Sequence, residues 1–256
     1  MNALEHSLER SIVIRARVAV VFRFFTDSAR FATWWGPGST IDPRKGGAIE
    51  IHHPNAAISR GEVLEIEEGR RIVFTFGHEE KAAGVPPGES RVTVTLEPHA
   101  RGTLLRLRHE LPTAEARDHH VQGWRYQLSL FSGAVSREAQ ADAAAVVDRW
   151  LANWSETDEA KRRATLGAIA ADDLEFRDAF STTSGHDDLV AHIGAAQNFM
   201  PGMTLSRDGN VRACQGAVLA DWTATGPDGA ARGKGTNLFD FDADGKLERV
   251  VGFWAM

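Results

Sequence analysis

The sequence contains a single cysteine, Cys214, and a single tyrosine among its 256 residues. One cysteine cannot form a disulfide within the chain, which is typical of proteins from a reducing compartment. Charged residues interrupt the apolar residues of segment 1–17, and no apolar run approaches the roughly 18 residues that a membrane helix requires. We therefore expect a cytoplasmic protein that does not interact with membranes.

A basic surface stripe is also missing, since the formal net charge is −6 and both signs are interspersed. The nearest candidate is the group Arg101, Arg106 and Arg108, but the last two alternate with Leu105 and Leu107. Alternation of this kind is typical of a strand with one solvated face. We therefore do not expect nucleic acid as a partner.

Motifs for cofactors and metals are absent as well. The glycines of Gly233-Lys234-Gly235 lack the third glycine of a dinucleotide-binding turn. The pairs His52-His53 and His119-His120 are adjacent in sequence, and adjacent side chains diverge on both strands and helices. We expect neither a cofactor nor a metal site.

The length exceeds the common size of one domain, about 100–150 residues, so two domains are expected. Each half reads as helices with a run of short strands, which favours α+β domains with antiparallel sheets. In the first half a long helix, 114–137, follows the strands, whereas helices precede most strands in the second half. We place the domains at 1–138 and 139–256.

The first half resembles the SRPBCC superfamily, in the branch named for activator-of-heat-shock-ATPase homologues. The resemblance rests on FTDSARFATWWGP (Phe25–Pro37), Asp42–Gly47, Arg71–Phe76, Arg108–Leu111 and HVQGWR (His120–Arg125). It implies a helix-grip domain, in which a curved antiparallel sheet surrounds a long C-terminal helix and leaves a cavity. Members include lipid and steroid carriers and aromatase/cyclases, so function does not follow from the fold.

The second half is similar to the nuclear-transport-factor-2-like superfamily, in its SnoaL-like branch. The matching segments are VVDRWLANW (Val146–Trp154), Ala171–Asp178, Gly185–Leu189, Phe199–Gly202 and Asp244–Leu247. This resemblance implies a cone-shaped α+β barrel around a pocket. The superfamily contains cofactor-free isomerases, polyketide cyclases, epoxide hydrolases and non-catalytic binders. It also implies a possible homodimer through the open sheet face of the C-terminal domain.

A carboxylate with apolar neighbours is the clearest chemical signal. In the predicted strand 173–180, the period of two places Leu174, Phe176, Asp178 and Phe180 on one face. Burial among apolar side chains favours the neutral form of a carboxyl group and suits it to act as a general base. The alternative is that Asp178 caps the loop 181–184 or pairs with an arginine.

The resemblance adds roles for two further residues. Asp178 lies where the resembling ketosteroid isomerases carry their proton-shuttling aspartate. Their oxyanion tyrosine corresponds to Trp150, and their protonated acid corresponds to Asn237. An indole N–H and an amide can each donate a hydrogen bond, so these three residues form the predicted catalytic set.

Seven tryptophans are available to line pockets. Flat indoles provide a large apolar area with one donor each, which suits aromatic ligands, although core packing is the alternative for each of them. In the first domain, His109 shares a strand face with leucines and is expected near the long helix. The predicted ligand-contacting residues are Trp154, Phe176, Trp222, Phe239 and Trp254 in the second domain, and His109, Trp124 and Trp35 in the first.

The leading hypothesis is a protein that binds small hydrophobic or aromatic molecules in one or both pockets. A competing hypothesis is a cofactor-independent cyclase or isomerase with Asp178 as the general base. A third, which follows only from the name of the first family, is a co-chaperone-like interaction module.

Overall fold

The structure is a computed structural model that describes residues 4–79 and 85–255. The chain folds into two compact units, Met1–Ser136 and Arg137–Met256. Both units combine helices with a largely antiparallel sheet, so the predicted α+β class is confirmed. In the part of the chain that is described, no helix has the length and apolar character needed to cross a membrane.

The first unit is an antiparallel sheet with a long helix after its last strand. Its strands run in the order β1-β8-β7-β5-β4-β3-β2, and β6 pairs with β4. Two short helices connect β1 to β2. The elements are β1 (His6–Ile14), α1 (Val18–Arg23), α2 (Ser28–Trp35), β2 (Thr40–Ile41), β3 (Ala48–His52), β4 (Ile58–Glu67), β5 (Arg71–Thr75), β6 (Gly77–His78), β7 (Arg91–His99), β8 (Gly102–Leu111) and α3 (Ala114–Ala139).

Local sequence explains where α2 begins, and an aromatic cluster holds α3 in place. Asp27 caps α2, because its carboxylate accepts the backbone N–H of Arg30 at 2.9 Å and so satisfies one of the free donors of the first turn. In α3, Trp124, Leu128 and Phe131 follow one another at helical spacing and are buried on one face, with Phe131 fully enclosed. Its ring lies 4.8 Å from the rings of both Phe25 and Trp34. This aromatic contact packs α3 against α2 and the segment that precedes it.

The second unit places three helices against a six-stranded sheet. Its strand order is β10-β9-β14-β13-β12-β11, and every pair is antiparallel except β14 with β9. The elements are α4 (Ala143–Asn153), α5 (Glu159–Ile169), β9 (Ala170–Arg177), β10 (Thr182–Ser184), α6 (Gly185–Phe199), β11 (Thr204–Cys214), β12 (Ala217–Thr225), β13 (Ala231–Phe241) and β14 (Leu247–Ala255).

The strand predicted at 173–180 is displaced toward the N-terminus. It begins at Ala170 and ends at Arg177, so Asp178 is the first residue of the following loop. Leu174 and Phe176 are buried on one face as the period of two predicts. The prediction was wrong for Phe180, which is 75% exposed, because the alternation stops when the chain turns after Arg177.

The core of the second unit lies between the helices and one face of the sheet. Val147 and Trp150 of α4, Leu166 of α5 and Ile193 of α6 are each at most 1% exposed, and so is Phe239 of β13. Burying one large apolar side chain contributes about 1.5–3 kcal/mol. The three helices therefore bury one face of the sheet, with α4 against β11 and with α5 and α6 against β9.

Candidate functional site

An apolar pocket opens in the second unit. Its empty space, counted to the open mouth, is about 440 Å³. Most of the wall is aromatic or aliphatic, as in many small-molecule sites. The lining residues are Trp154, Phe176, Asp178, Met200, Met203, Leu205, Trp222, Ala224, Asn237, Gly252 and Trp254.

The carboxylate of Asp178 is half-buried at this pocket and is held by three hydrogen bonds. Oδ1 accepts the backbone N–H groups of Phe180 at 2.8 Å and Ser181 at 2.9 Å, and thus caps the loop that follows β9. Oδ2 accepts the indole N–H of Trp254 at 3.2 Å. A carboxylate oxygen has two lone pairs, so Oδ2 retains one for a ligand.

The side chain of Asn237 is 6% exposed and has a defined orientation. The indole N–H of Trp222 approaches its Oδ1 at 2.8 Å. Because an indole can only donate, this contact requires the amide oxygen at that position and places the Nδ2 donors on the other side. No acceptor for Nδ2 is found among residues 4–79 and 85–255, so its N–H groups are available to the pocket.

Two glycines make room for these side chains. Gly235 pairs with Trp222 across β13 and β12, and a Cβ on it would lie 2.4 Å from the indole ring. Gly252 pairs with Asn237 across β14 and β13. A Cβ at Gly252 would be 3.1 Å from Cβ of Asp178 and 3.3 Å from Oδ1 of Asn237. Both polar side chains therefore lie within 3.3 Å of the same point. We call Asp178, Asn237 and Trp254 the polar end of the pocket.

Two of the predicted site residues of this unit lie outside the wall. Trp150 is 1% exposed and Phe239 is fully buried, and neither lines the pocket. The ring of Trp150 packs against Phe176 at 5.7 Å and Phe239 at 6.1 Å. Trp154, one turn further along, reaches the pocket instead. Trp150 is therefore a core residue and gives no donor to the polar end.

Sequence reasoning missed the opposite wall. Met200 and Met203, on either side of the turn after α6, line the pocket with Leu205 and Ala224. Methionine side chains are flexible and polarisable and adapt to different apolar ligands. The only signal in the sequence was the closeness of two methionines to a Pro-Gly turn, which does not indicate a pocket by itself.

In the first unit, the three predicted residues come together in the interior. Trp124 donates its indole N–H to Nδ1 of His109 at 3.0 Å, and Trp35 packs edge-on against Trp124 at 5.7 Å. The remaining N–H of His109, at Nε2, is 2.8 Å from Oγ of Ser90, whose hydroxyl donates to the carbonyl of Phe76. Both nitrogens of His109 are thus used within the protein, and the residue is fully buried. A polar contact between His109 and a ligand is not supported by this geometry.

Three more histidines are connected to His109 through successive ring contacts, an arrangement that the sequence did not reveal. His120 lies 4.9 Å from His109 and 5.8 Å from His78, measured between ring centroids, and His53 lies 5.8 Å from His78. We call these four residues the imidazole cluster. One member of each adjacent pair, His53 and His120, turns inward, while its neighbour points away.

Burial keeps the imidazole cluster neutral. It lowers the pKa of His109 to about 3 and the pKa of His78 to about 4, and neighbouring histidines lower both further. Burial also lowers the pKa values of His53 and His120. Within the described residues, no group of three or more His, Cys, Asp and Glu side chains has the geometry of a metal site.

Comparisons with known proteins give each half a family. Residues 15–135 match the family described as Activator of Hsp90 ATPase homolog 1-like protein, and residues 147–250 match the SnoaL-like domain. Each half therefore matches a different family, and the two predicted resemblances are confirmed. Both domains are of a kind that binds small hydrophobic ligands.

Solved structures with a similar fold were also found. A SnoaL-like family protein from Agrobacterium tumefaciens is 25% identical, with a TM-score of 0.44, and the match covers 45% of this chain and 99% of that protein. A protein from Mesorhizobium loti is 20% identical, with a TM-score of 0.47, covering 52% and 98%. A protein from Chromobacterium violaceum is 25% identical, with a TM-score of 0.41, covering 49% and 94%. No curated protein matches the sequence.

Proposed function

We propose that this protein binds one small, largely aromatic molecule in the pocket of its second unit. The observation that carries the proposal is the wall itself, where Trp154, Trp222 and Trp254 surround a space that is apolar except at its polar end. Indole faces give large contact areas at low entropic cost, and a few polar groups then orient the ligand. The aromatic wall suits a molecule with a ring that lies against the indoles.

The proposal is tested with 2-ethylnaphthalene and 2-acetylnaphthalene as probes, using calorimetry on the full chain. Both probes are expected to bind, and at a hundredfold excess over Kd each should stabilise the protein by about 2.7 kcal/mol. Met203→Trp would fill the pocket from its flexible wall and should abolish binding. The matched control is Leu130→Trp on α3, an exposed position in the first unit and therefore outside the pocket.

Two results would overturn the proposal. One is that neither naphthalene binds to the unmodified chain. The other is that Met203→Trp binds the probes as tightly as Leu130→Trp and the unmodified protein do, since the ligand would then lie elsewhere.

A second candidate function is cofactor-free enolisation of a bound ketone. The observation that favours it is that Asp178, with a lone pair left on Oδ2, and Asn237, with its Nδ2–H toward the pocket, flank the same point of the wall at Gly252. In such a step Asp178 would take a proton from the carbon next to the carbonyl. Asn237 would donate a hydrogen bond to the oxygen of the resulting enolate.

The enzymatic candidate has its own readout. In deuterium oxide, catalysed enolisation replaces the methyl protons of 2-acetylnaphthalene by deuterium, which NMR follows directly. If exchange exceeds that in buffer and Asp178→Asn removes the excess while binding persists, the protein is an enolising enzyme. Exchange no faster than in buffer would leave binding as the function and remove this candidate.

A further inference from the structure

The polar end of the pocket presents one donor and one acceptor whose identities are fixed by their neighbours. On the donor side, Trp222 is 3% exposed and its N–H is directed at Oδ1 of Asn237. Turning the amide over would bring an N–H2 group against an N–H group inside the protein. That arrangement would leave a buried donor without an acceptor, which is unfavourable, so the amide keeps its Nδ2 toward the pocket.

On the acceptor side, the loop after β9 determines which oxygen of Asp178 meets the ligand. Two backbone N–H groups, from Phe180 and Ser181, occupy Oδ1. Only Oδ2 is left at the pocket, and Trp254 uses one of its lone pairs. A ligand atom at this position must therefore be a donor, because an acceptor would face the carboxylate.

The side chains of Asp178 and Asn237 also meet at Gly252. Cβ of Asp178 and Oδ1 of Asn237 both lie within 3.3 Å of the point where a side chain on Gly252 would begin. Asp178 and Asn237 therefore flank one point of the wall, and a compact polar group placed at that point lies next to both residues.

We propose that the ligand is an aryl hydroxy-ketone, with a carbonyl and a hydroxyl on neighbouring carbons. The carbonyl accepts Nδ2–H of Asn237, and the hydroxyl donates to Oδ2 of Asp178. The aromatic ring occupies the apolar part between Phe176 and the tryptophans. The inference rests on the proposed function, since it names the class of ligand for the same pocket.

The same geometry excludes neighbouring ligand classes. An aryl carboxylate offers only acceptors and would place a second negative group beside Asp178, which is unfavourable in an apolar pocket. A plain ketone leaves Oδ2 without its donor, and a plain alcohol leaves Nδ2 without its acceptor. Each loses one hydrogen bond relative to the hydroxy-ketone.

Four naphthalenes with one scaffold test this inference by calorimetry on the full chain. They carry an ethyl, an acetyl, a hydroxyacetyl or a methoxyacetyl group at position 2. The hydroxyacetyl compound should bind at least about tenfold more tightly than both the acetyl and the methoxyacetyl compounds, because only its hydroxyl donates a hydrogen bond to the charged Asp178. Equal affinities within twofold would overturn the inference.

The failure of the inference is distinguishable from that of the proposed function. If none of the four compounds binds, the proposed function fails. If all four bind with equal affinity, the pocket is a binding site, and only the assignment of the ligand as an aryl hydroxy-ketone is refuted.

Two variants test the roles of the residues. Asp178→Asn keeps a carbonyl on the loop N–H groups and turns an N–H2 group toward the pocket, so the preference for hydroxyacetyl over methoxyacetyl should disappear. Trp222→Phe removes the group that orients Asn237, which makes Trp222 a positioning residue.

For Trp222→Phe, the expected result is a smaller ratio between the affinities for the acetyl and ethyl compounds. Loss of structure alone would weaken both compounds together and leave that ratio unchanged. An unchanged ratio would therefore overturn the role assigned to Trp222, and an unchanged preference in Asp178→Asn would overturn the role assigned to Asp178.

Discussion

Acidification is expected to unfold the first unit before the second. The size of the stability loss can be worked out from His109. This side chain is fully buried, and burial lowers its pKa to about 3, whereas an unfolded histidine titrates near 6.5. Between pH 6.5 and about pH 3, His109 binds a proton in the unfolded chain but stays neutral in the folded unit. The stability from this residue is therefore complete above pH 6.5 and falls by about 1.4 kcal/mol per pH unit until about pH 3.

At pH 4.5 the loss from His109 alone amounts to about 2.7 kcal/mol. The other members of the imidazole cluster have lowered pKa values as well, so they add to the slope in the same direction. Total domain stabilities are typically 5–15 kcal/mol, which makes this a large fraction. In His109→Gln the side chain cannot ionise, so the slope of the unfolding free energy against pH should decrease by the equivalent of about one proton. It should also lower the stability at pH 7.5, because the bonds to Trp124 and Ser90 are weakened.

This effect is measured by unfolding the full chain in urea at several pH values. The unfolded fraction is then labelled by a short hydrogen-exchange pulse at one fixed pH. Peptides from β8 report on the first unit, and peptides from β13 serve as an internal reference for the second. His99→Gln is the matched control, since His99 is exposed at the end of β7. The reasoning is refuted if β8 is equally stable at pH 7.5 and 4.5, or if His109→Gln retains the slope of the unmodified protein.

Three further predictions concern a helix cap, the polar end and the outer sheet face. Asp27→Ala removes the cap of α2 and should cost about 1 kcal/mol in the first unit by the same urea measurement, and an unchanged midpoint would contradict the cap. Gly252→Ala puts a methyl group 3.1 Å from Cβ of Asp178, so calorimetry should show weaker binding of the hydroxyacetyl probe with the fold retained by circular dichroism. Undiminished affinity would show that the ligand does not approach this point. Leu219, Leu238 and Val251 form a half-exposed apolar row across three strands, beside Phe253, which is 56% exposed. We expect this face to pair with a second copy of the chain, so Leu238→Lys should lower the mass measured by light scattering, and a monomer before mutation would refute the pairing.

Much of the fold was predictable because it follows from short-range pattern. The stripe of α3, the cap at Asp27 and the alternation of Leu174 with Phe176 depend on residues within a few positions of each other. The end of β9 was not predictable in the same way. Alternation would continue to Phe180, but the side chain of Asp178 turns the chain by capping two backbone N–H groups.

The candidate site was predicted in its composition and only partly in its arrangement. Strand period identified Phe176 and Asp178 as neighbours, and the abundance of tryptophan indicated an aromatic wall. Helical position alone did not distinguish Trp150, which is in the core, from Trp154, which lines the pocket. The difference depends on which residues of the sheet lie opposite each turn of α4.

The sequence by itself determined the two α+β domains, their families and the side chains available to a pocket. Tertiary structure alone decided that Trp222 orients Asn237, that Gly252 brings Asn237 and Asp178 to one point, and that four histidines from separate segments meet in the first unit. The physical reason is distance along the chain. Periodicity assigns a side chain to a face, whereas the register between strands that are far apart in sequence determines which side chain it meets.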